Sequence, residues 1–313
     1  MLKTALPVAA TLRRHPIGQM VNTMASGATT NERVMQSIHE TFLFYGDPEA
    51  PYWFLGLEEG YQPPEDRPID DVIRSLSKKA DKQRRQGKVS LREFVKDSEY
   101  LPPIDPNAAP SGVDVKYQPT WGGYIKLLFA IENANAGKAM PWHLRDVRRY
   151  QKYRLGSLEQ PKGGKTEMPS SCLMELFDLP CNRRLGRWPY AKLADRKGLA
   201  YLKTHKSYRD RVLGDRVALL LAHARLHRPE FLICFGEDCR KTLRTALDDR
   251  TNEEVIEIKA SKRIYRASLI EIEGTRLVFA RHPTAPGTPS AYWVKLGRAL
   301  TDRRDRGAMP RAA

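Results

Sequence analysis

Acidic residues are scarce relative to basic ones: 37 Asp and Glu stand against 53 Lys and Arg in 313 residues, a formal net charge of +16. Such a shortage works against indiscriminate association with other proteins and favours polyanionic partners. It is also uneven. Between Arg145 and Arg228 there are twenty Lys and Arg and only eight Asp and Glu, so most of the excess falls in a quarter of the chain. Nucleic acid is therefore the expected partner, although a solvated, highly charged surface would give the same composition. Binding of that kind is steeply salt-dependent, since a protein touching 6 to 10 phosphates loses about 10³- to 10⁵-fold in affinity between 50 and 200 mM salt.

Long apolar runs are missing as well. No stretch approaches the roughly 18 residues of a membrane span, so no membrane association is expected. Residues 1–30 do not make a secretory signal, because Pro7 breaks the apolar stretch and Arg13, Arg14 and His15 lie on its wrong side. They read as a flexible leader. Cysteine is limited to Cys172, Cys181, Cys234 and Cys239. That is too few and too scattered for a disulfide scaffold, and it suits reduced thiols in the cytoplasm. Their spacing is unlike that of cluster ligands, and no metal or cofactor is expected. His223 and His227 lie four apart and could hold zinc, but the intervening carboxylate of the zinc-protease pattern is absent and a surface pair is the plainer reading. Gly163, Gly164 and Lys165 fall short of the full phosphate-loop spacing, which excludes nucleotide triphosphate chemistry. No internal repeat is visible.

What the chain does have is 41% hydrophobic residues, enough for a core, arranged so that four short apolar runs are each followed by a polar motif. Tyr52–Leu57 leads into Gly56, Leu57, Glu58, Glu59, Gly60 and Tyr61. Cys172–Phe177 ends in Asp178, Leu179 and Pro180. Phe231–Phe235 is followed by Gly236 and an acidic helix start, and Arg276–Ala280 by Arg281, His282, Pro283 and Thr284. Continuous apolar runs bounded by turn residues and separated by helical patterns predict the parallel strands of an α/β sheet. Ligands of such sheets bind beyond the carboxyl ends of the strands. The expected architecture is a three-layer sandwich with a central, mostly parallel sheet, forming one monomeric domain over 31–300 with helical insertions near 62–118 and 135–168 and a flexible tail at 301–313. A helix from about Thr30 feeds the first strand. Another carries Trp121, Tyr124, Leu127, Leu128 and Ile131 on one face, toward the sheet.

Several of these residue types suit hydrolysis. Glu58 or Glu59 could orient or deprotonate a water within hydrogen-bond reach, or one of them could merely cap a helix. Gly56 and Gly60 permit a tight turn near a ligand. His282 directly follows a strand and could donate to a developing anion. Glu175, when ionised, only accepts hydrogen bonds; it could read an amino group on a ligand or pair with a nearby Arg. Tyr61 and Trp121 could stack on a base, although Trp121 fits the core equally well. Arg183, Arg184 and Arg187, beside Trp188 and Tyr190, form a basic segment suited to phosphates.

Taken together, Gly56-Leu57-Glu58-Glu59-Gly60, the Glu175-to-Pro180 segment and Arg281-His282-Pro283-Thr284 resemble the active-site frame of the uracil-DNA glycosylase superfamily, of which the chain would be a divergent member. The resemblance spans residues 31–300 but rests on short motifs. It implies cleavage of the N-glycosidic bond of a damaged or deaminated base in DNA, with Glu58 and Glu59 acting on water and His282 stabilising the departing base. Gly56, Gly60, Tyr61, Glu175, Arg281 and Thr284 would then contact the substrate. Glu175 stands where that superfamily carries an Asn, which shifts the expectation away from plain uracil. The Thr284–Thr288 stretch has no bulky aliphatic wedge, which points to single-stranded or mismatched DNA. The alternative is a catalytically silent nucleic-acid-binding protein that retains the fold.

Overall fold

Alternation along the four apolar runs builds the centre of the molecule. In the computed structural model, which describes residues 30–41, 44–58, 68–90, 119–135, 144–158, 169–181, 187–247, 252–272, 274–283, 285 and 287–307, they become four adjacent parallel strands. The elements in chain order are α1 (Thr30–His39), β1 (Phe44–Gly46), β2 (Tyr52–Glu58), α2 (Ile69–Gln86), α3 (Pro119–Asn135), α4 (Leu144–Tyr153) and β3 (Ser171–Phe177). Two short 3-10 turns follow, at Pro189–Leu193 and Ala200–Lys203. The chain continues with α5 (His205–His227), β4 (Phe231–Phe235), α6 (Glu237–Ala246), β5 (Glu253–Ala260), β6 (Arg263–Ile272), β7 (Thr275–Ala280) and α7 (Ser290–Gly307).

The seven strands form one mixed sheet in the order β1-β3-β2-β4-β7-β6-β5, with β3, β2, β4 and β7 parallel and the outer strands antiparallel. Side chains point alternately to opposite faces of a strand, and here both faces are covered. Trp53 and Leu55, Cys172 and Met174, Leu232 and Cys234, and Leu277 and Phe279 pack with α1, α2, α5 and α6. Tyr52 and Phe54, Leu173, Phe231 and Ile233, and Val278 and Ala280 pack with α3, α4 and α7. Burial on both faces is why these strands read as continuous apolar runs. From β2 the chain goes to β3 on one side, then returns to β4 on the other. The divergence falls at the carboxyl ends of β2 and β4, the position at which sheets of this type form a ligand-binding crevice.

Several expectations are revised. The β5–β6 hairpin was not anticipated, and it carries an unbroken ladder from Glu253↔Ile270 to Ala260↔Arg263. Within the segment expected as an insertion, α2 buries Val72, Ile73 and Leu76 in the main core. At the other end, α7 continues through Gly307 into the expected tail, and Thr301 is buried. Helix α5 starts at His205, because Thr204 accepts from the Ser207 backbone and Ser207 caps in return, a reciprocal arrangement that satisfies two otherwise orphaned amides. The face of α3 behaves as its spacing predicts: Tyr124, Leu127, Leu128 and Ile131 are buried and Trp121 half-buried.

The two helices on the second face approach closely where α7 carries Gly297. A Cβ there would fall 2.5 Å from Ala130 Cβ and 2.7 Å from the Ala130 carbonyl carbon. Neither neighbour can rotate away. Gly297→Ala is expected to lower stability by about 1–3 kcal/mol through overpacking, seen as a lower urea midpoint at unchanged slope. Gly214, inside α5 with nothing within 4 Å of the same added atom, supplies the contrast. Gly214→Ala is expected to raise stability by about 0.5–1 kcal/mol, because alanine loses less backbone entropy in a helix. Equal behaviour of the two variants would overturn the close-approach argument.

Candidate active site at the strand ends

The parallel strands deliver their terminal residues to one edge. Gly56 of β2 stands opposite Glu175 of β3, Glu58 opposite Phe177, and Phe235 of β4 opposite Ala280 of β7. Gly56 has no room for a side chain, since a Cβ there would lie 2.1 Å from Glu175 Oε2. The Glu175 carboxylate therefore lies across the β2 backbone.

Beneath it is an aromatic floor. The Tyr124 ring stacks on Phe235 at 4.1 Å and 11° and meets Phe54 at 4.5 Å, while Trp293 packs against Phe235 at 5.4 Å. The Tyr124 hydroxyl donates to the Leu55 carbonyl at 3.2 Å. Burial, reinforced by the Glu175 charge, pushes that phenol well above its ordinary range and keeps it neutral.

His282 is half-buried and lies over Gly236, with its ring carbon Cδ2 3.5 Å from where a Cβ would stand. Gly236 has φ +90°, a conformation that favours glycine, and its amide donates to the Ala280 carbonyl at 3.0 Å. Pro283 packs on Gly123 of α3, where a Cβ would come within 2.2 Å of Pro283 Cγ. The loop after β7 is thus pressed between β4 and α3. It is also tied within itself: the Ala285 amide donates to the His282 carbonyl, Arg281 Nε donates to Thr288 Oγ1 at 2.8 Å, and the Arg281 amide donates to the Tyr292 hydroxyl. The Arg281 guanidinium sits over the Tyr265 ring at 5.3 Å. Expected as a substrate contact, Arg281 also braces the loop.

A buried polar assembly holds β3 from behind. Arg216 of α5 is fully buried and donates to four carbonyls: Leu176 at 2.7 Å, Glu175 at 3.3 Å, His39 at 3.0 Å and Thr41 at 2.8 Å. Just past β3, Asp178 receives the Tyr208 hydroxyl at 2.6 Å and pairs with His39 Nδ1 at 2.7 Å, while His39 Nε2 meets the Tyr201 hydroxyl at 2.7 Å. Burial alone would raise the Asp178 carboxyl. The charge and hydrogen bond of His39, the Arg216 charge and the Tyr208 hydroxyl outweigh it and hold the group well below the usual carboxylate range.

Of the residues expected to act, the structure brings Gly56, Glu175, Arg281 and His282 to the same edge, and the β2 backbone carries Glu58 there as the last residue of its strand. Glu59, Gly60, Tyr61, Thr284, Arg183 and Arg184 lie outside the described residues. Arg187 is exposed beside Trp188, on the helical layer that covers the first face. Tyr124, Phe235, Gly123 and Gly236 were not singled out as site residues. The Gly pair before Tyr124 was the available signal, since a glycine inside a helical pattern marks a close approach.

His223 and His227 are not a surface pair. Their rings stack at 5.9 Å, with Phe44 edge-on to His223, Trp53 against His227, and His227 Nδ1 bonded to Glu49 at 2.6 Å. Among the described residues no three His, Cys, Asp or Glu side chains converge as a metal site, and all four cysteines are buried. Burial, followed by the His227 and Arg216 charges, lowers His223 to about 4 from 6.5. The folded state keeps this imidazole neutral where the unfolded chain binds a proton, so stability falls as pH drops from about 6.5 toward about 4 and is unaffected by this group above that window. Urea midpoints between pH 7.5 and 4.5 should decline less in His223→Gln than in the parent, and parallel declines would contradict this.

Comparison with models of known protein families, with curated proteins and with solved structures finds no match to this chain.

Proposed function

We propose that the protein hydrolyses the N-glycosidic bond of a damaged or deaminated base in DNA, taking the extruded base into the strand-end crevice. The supporting observation is the convergence, at the point where the chain diverges from β2, of two strand-end glycines, a carboxylate over one of them and an imidazole over the other, above a stacked aromatic floor. Aromatic rings beside a few polar groups are the residue types that take a flat heterocycle.

In this reading Glu58 or Glu59 orients a water and takes its proton as the oxygen attacks the sugar carbon. The C–N bond breaks with its electron pair leaving on the base, and His282 donates a hydrogen bond to the oxygen that gains charge. Glu175 accepts from an exocyclic amino group, which favours a base that carries one. Flipping costs a few kcal/mol and least for unpaired or mismatched bases, so these are the natural targets.

The test is an alkali-cleavage assay on labelled oligonucleotides, single- and double-stranded, carrying amino-bearing lesions (8-oxoguanine, 5-methylcytosine) beside uracil, hypoxanthine, xanthine and a thymine mismatch, which lack the amino group. Cleavage of one of them supports excision and names the base. Tight, salt-sensitive binding with every glycosidic bond intact identifies a binding module instead.

A further inference from the structure

The tip of the β5–β6 hairpin is not one of the strand ends that carry the candidate site, yet it bears a dense cationic run. Residues 259–266 read Lys-Ala-Ser-Lys-Arg-Ile-Tyr-Arg, four cations with no acidic residue. A charged turn is ordinarily just solvated, but three observations set this one apart.

The first is reach. Ser268 of β6 pairs with Phe279 near the end of β7, while Arg263 and Ile264 pair only with Ala260 and Lys259. The ribbon therefore continues about four residues past β7, or roughly 13 Å at the rise of a strand, over the edge that bears His282. The second is rigidity. The Tyr265 hydroxyl donates to the Gly287 carbonyl at 2.7 Å, Lys295 of α7 donates to the Lys259 carbonyl at 2.7 Å, and the Arg263 guanidinium lies 3.5 Å from a Cβ built at Gly287. The tip is fastened to the loop that positions His282. The third is display. Lys259, Lys262, Arg263 and Arg266 are all exposed, with Arg266 3.6 Å from Glu257, and Ile264 beside Lys259 is 56% exposed.

We propose that this hairpin tip is an arm that grips the phosphate backbone of the nucleic acid whose base enters the crevice, with Lys259, Lys262 and Arg266 making the contacts. The proposal rests on the nucleic-acid partner named above but not on the excision step. Each phosphate neutralised by a cation releases counterions, and a two-stranded ribbon is one of the shapes that a duplex major groove admits. Because the arm is already fastened, little ordering entropy is lost on binding. An anionic membrane would also attract four cations, but the tip offers a single large exposed apolar side chain, Ile264, which is too little to seat it in a bilayer.

The experiment measures fluorescence anisotropy of a labelled oligonucleotide, single-stranded and duplex, across 50–300 mM salt, with excision followed in parallel. The full chain is compared with Lys259→Gln/Lys262→Gln/Arg266→Gln and with a charge-matched control, Arg225→Gln/Arg228→Gln/Lys241→Gln, drawn from α5 and its end and from α6. Thermal melting verifies that both variants fold. The hairpin variant is expected to bind at least tenfold more weakly at 150 mM salt and to lose about one unit of log K against log[salt] slope per contact removed, while the control stays near the parent. Equal losses in the two variants would overturn the arm and leave the crevice reading standing. A reduced slope in the hairpin variant alone, with no excision by the parent, would keep the arm and sink the glycosylase reading. If the variant keeps its oligonucleotide affinity and instead loses binding to phosphatidylserine vesicles, the arm is a membrane contact and the proposal fails.

Discussion

Arg216→Met is expected to remove about 3–5 kcal/mol of folding stability, the range seen when one partner of a buried charged assembly is deleted. The arginine is fully buried, and its three guanidinium nitrogens serve carbonyls from two separate places: Leu176 and Glu175 on β3, and His39 and Thr41 at the end of α1. Methionine matches the length of the stem and fills the space, so little of the loss comes from a cavity. What goes is a charged donor shared by four acceptors, together with a positive charge that lowers the Asp178 carboxyl. Lysine would restore the charge, but one ammonium lacks the planar fork that reaches both segments together, and an intermediate loss is expected. Urea unfolding followed by circular dichroism decides it. A Met variant within about 0.5 kcal/mol of the parent, the usual spread for inert surface changes, would mean that the carbonyls find other donors and that Arg216 is not the clamp.

Under the proposed excision reaction, His282→Ala is expected to slow cleavage by about 10²- to 10³-fold in single-turnover assays while leaving oligonucleotide affinity within a few-fold, as happens when one preorganised donor to a developing anion is lost. The ring is half-buried over Gly236, and the loop around it is held by bonds that do not use the imidazole, among them Ala285 to the His282 carbonyl and Arg281 to Thr288. The loop should therefore survive the truncation, and melting temperature is the check. His282→Gln, which keeps a donor, should recover part of the rate. An alanine variant within tenfold of the parent would remove His282 from the chemistry, and a fall in affinity equal to the fall in rate would make it a binding residue instead.

The parallel core was legible because strands covered on both faces are uninterrupted apolar runs with turn residues after them, as Phe231–Phe235 before Gly236 shows. Their carboxyl-end motifs fall together at one edge of the sheet because the four strands are parallel. The β5–β6 hairpin escaped notice because its outer positions are charged: Glu257 and Lys259 alternate with Ile256, Ile258 and Ala260, a half-buried pattern hidden inside a charged stretch. Nothing local could single out Arg216. It is one of several arginines on α5, and its burial depends on carbonyls about 40 and 175 residues away in sequence. Tyr124 was correctly placed on a core face, but its position under Glu175 and beside Phe235 follows from strand order, which periodicity does not encode.

The strand order also bears on how the chain is made. β2 is complete at residue 58, its neighbour β3 begins at residue 171 and β4 at residue 231. At about 5–20 residues per second, a ribosome leaves Tyr52 to Leu55 without either lateral partner for roughly 6–23 s, and longer before both sides are closed. During that interval an apolar strand with two open edges is a template for pairing with other nascent chains. Yield in a cell should therefore respond to chaperone supply and to growth temperature more than the stability of the finished protein would suggest.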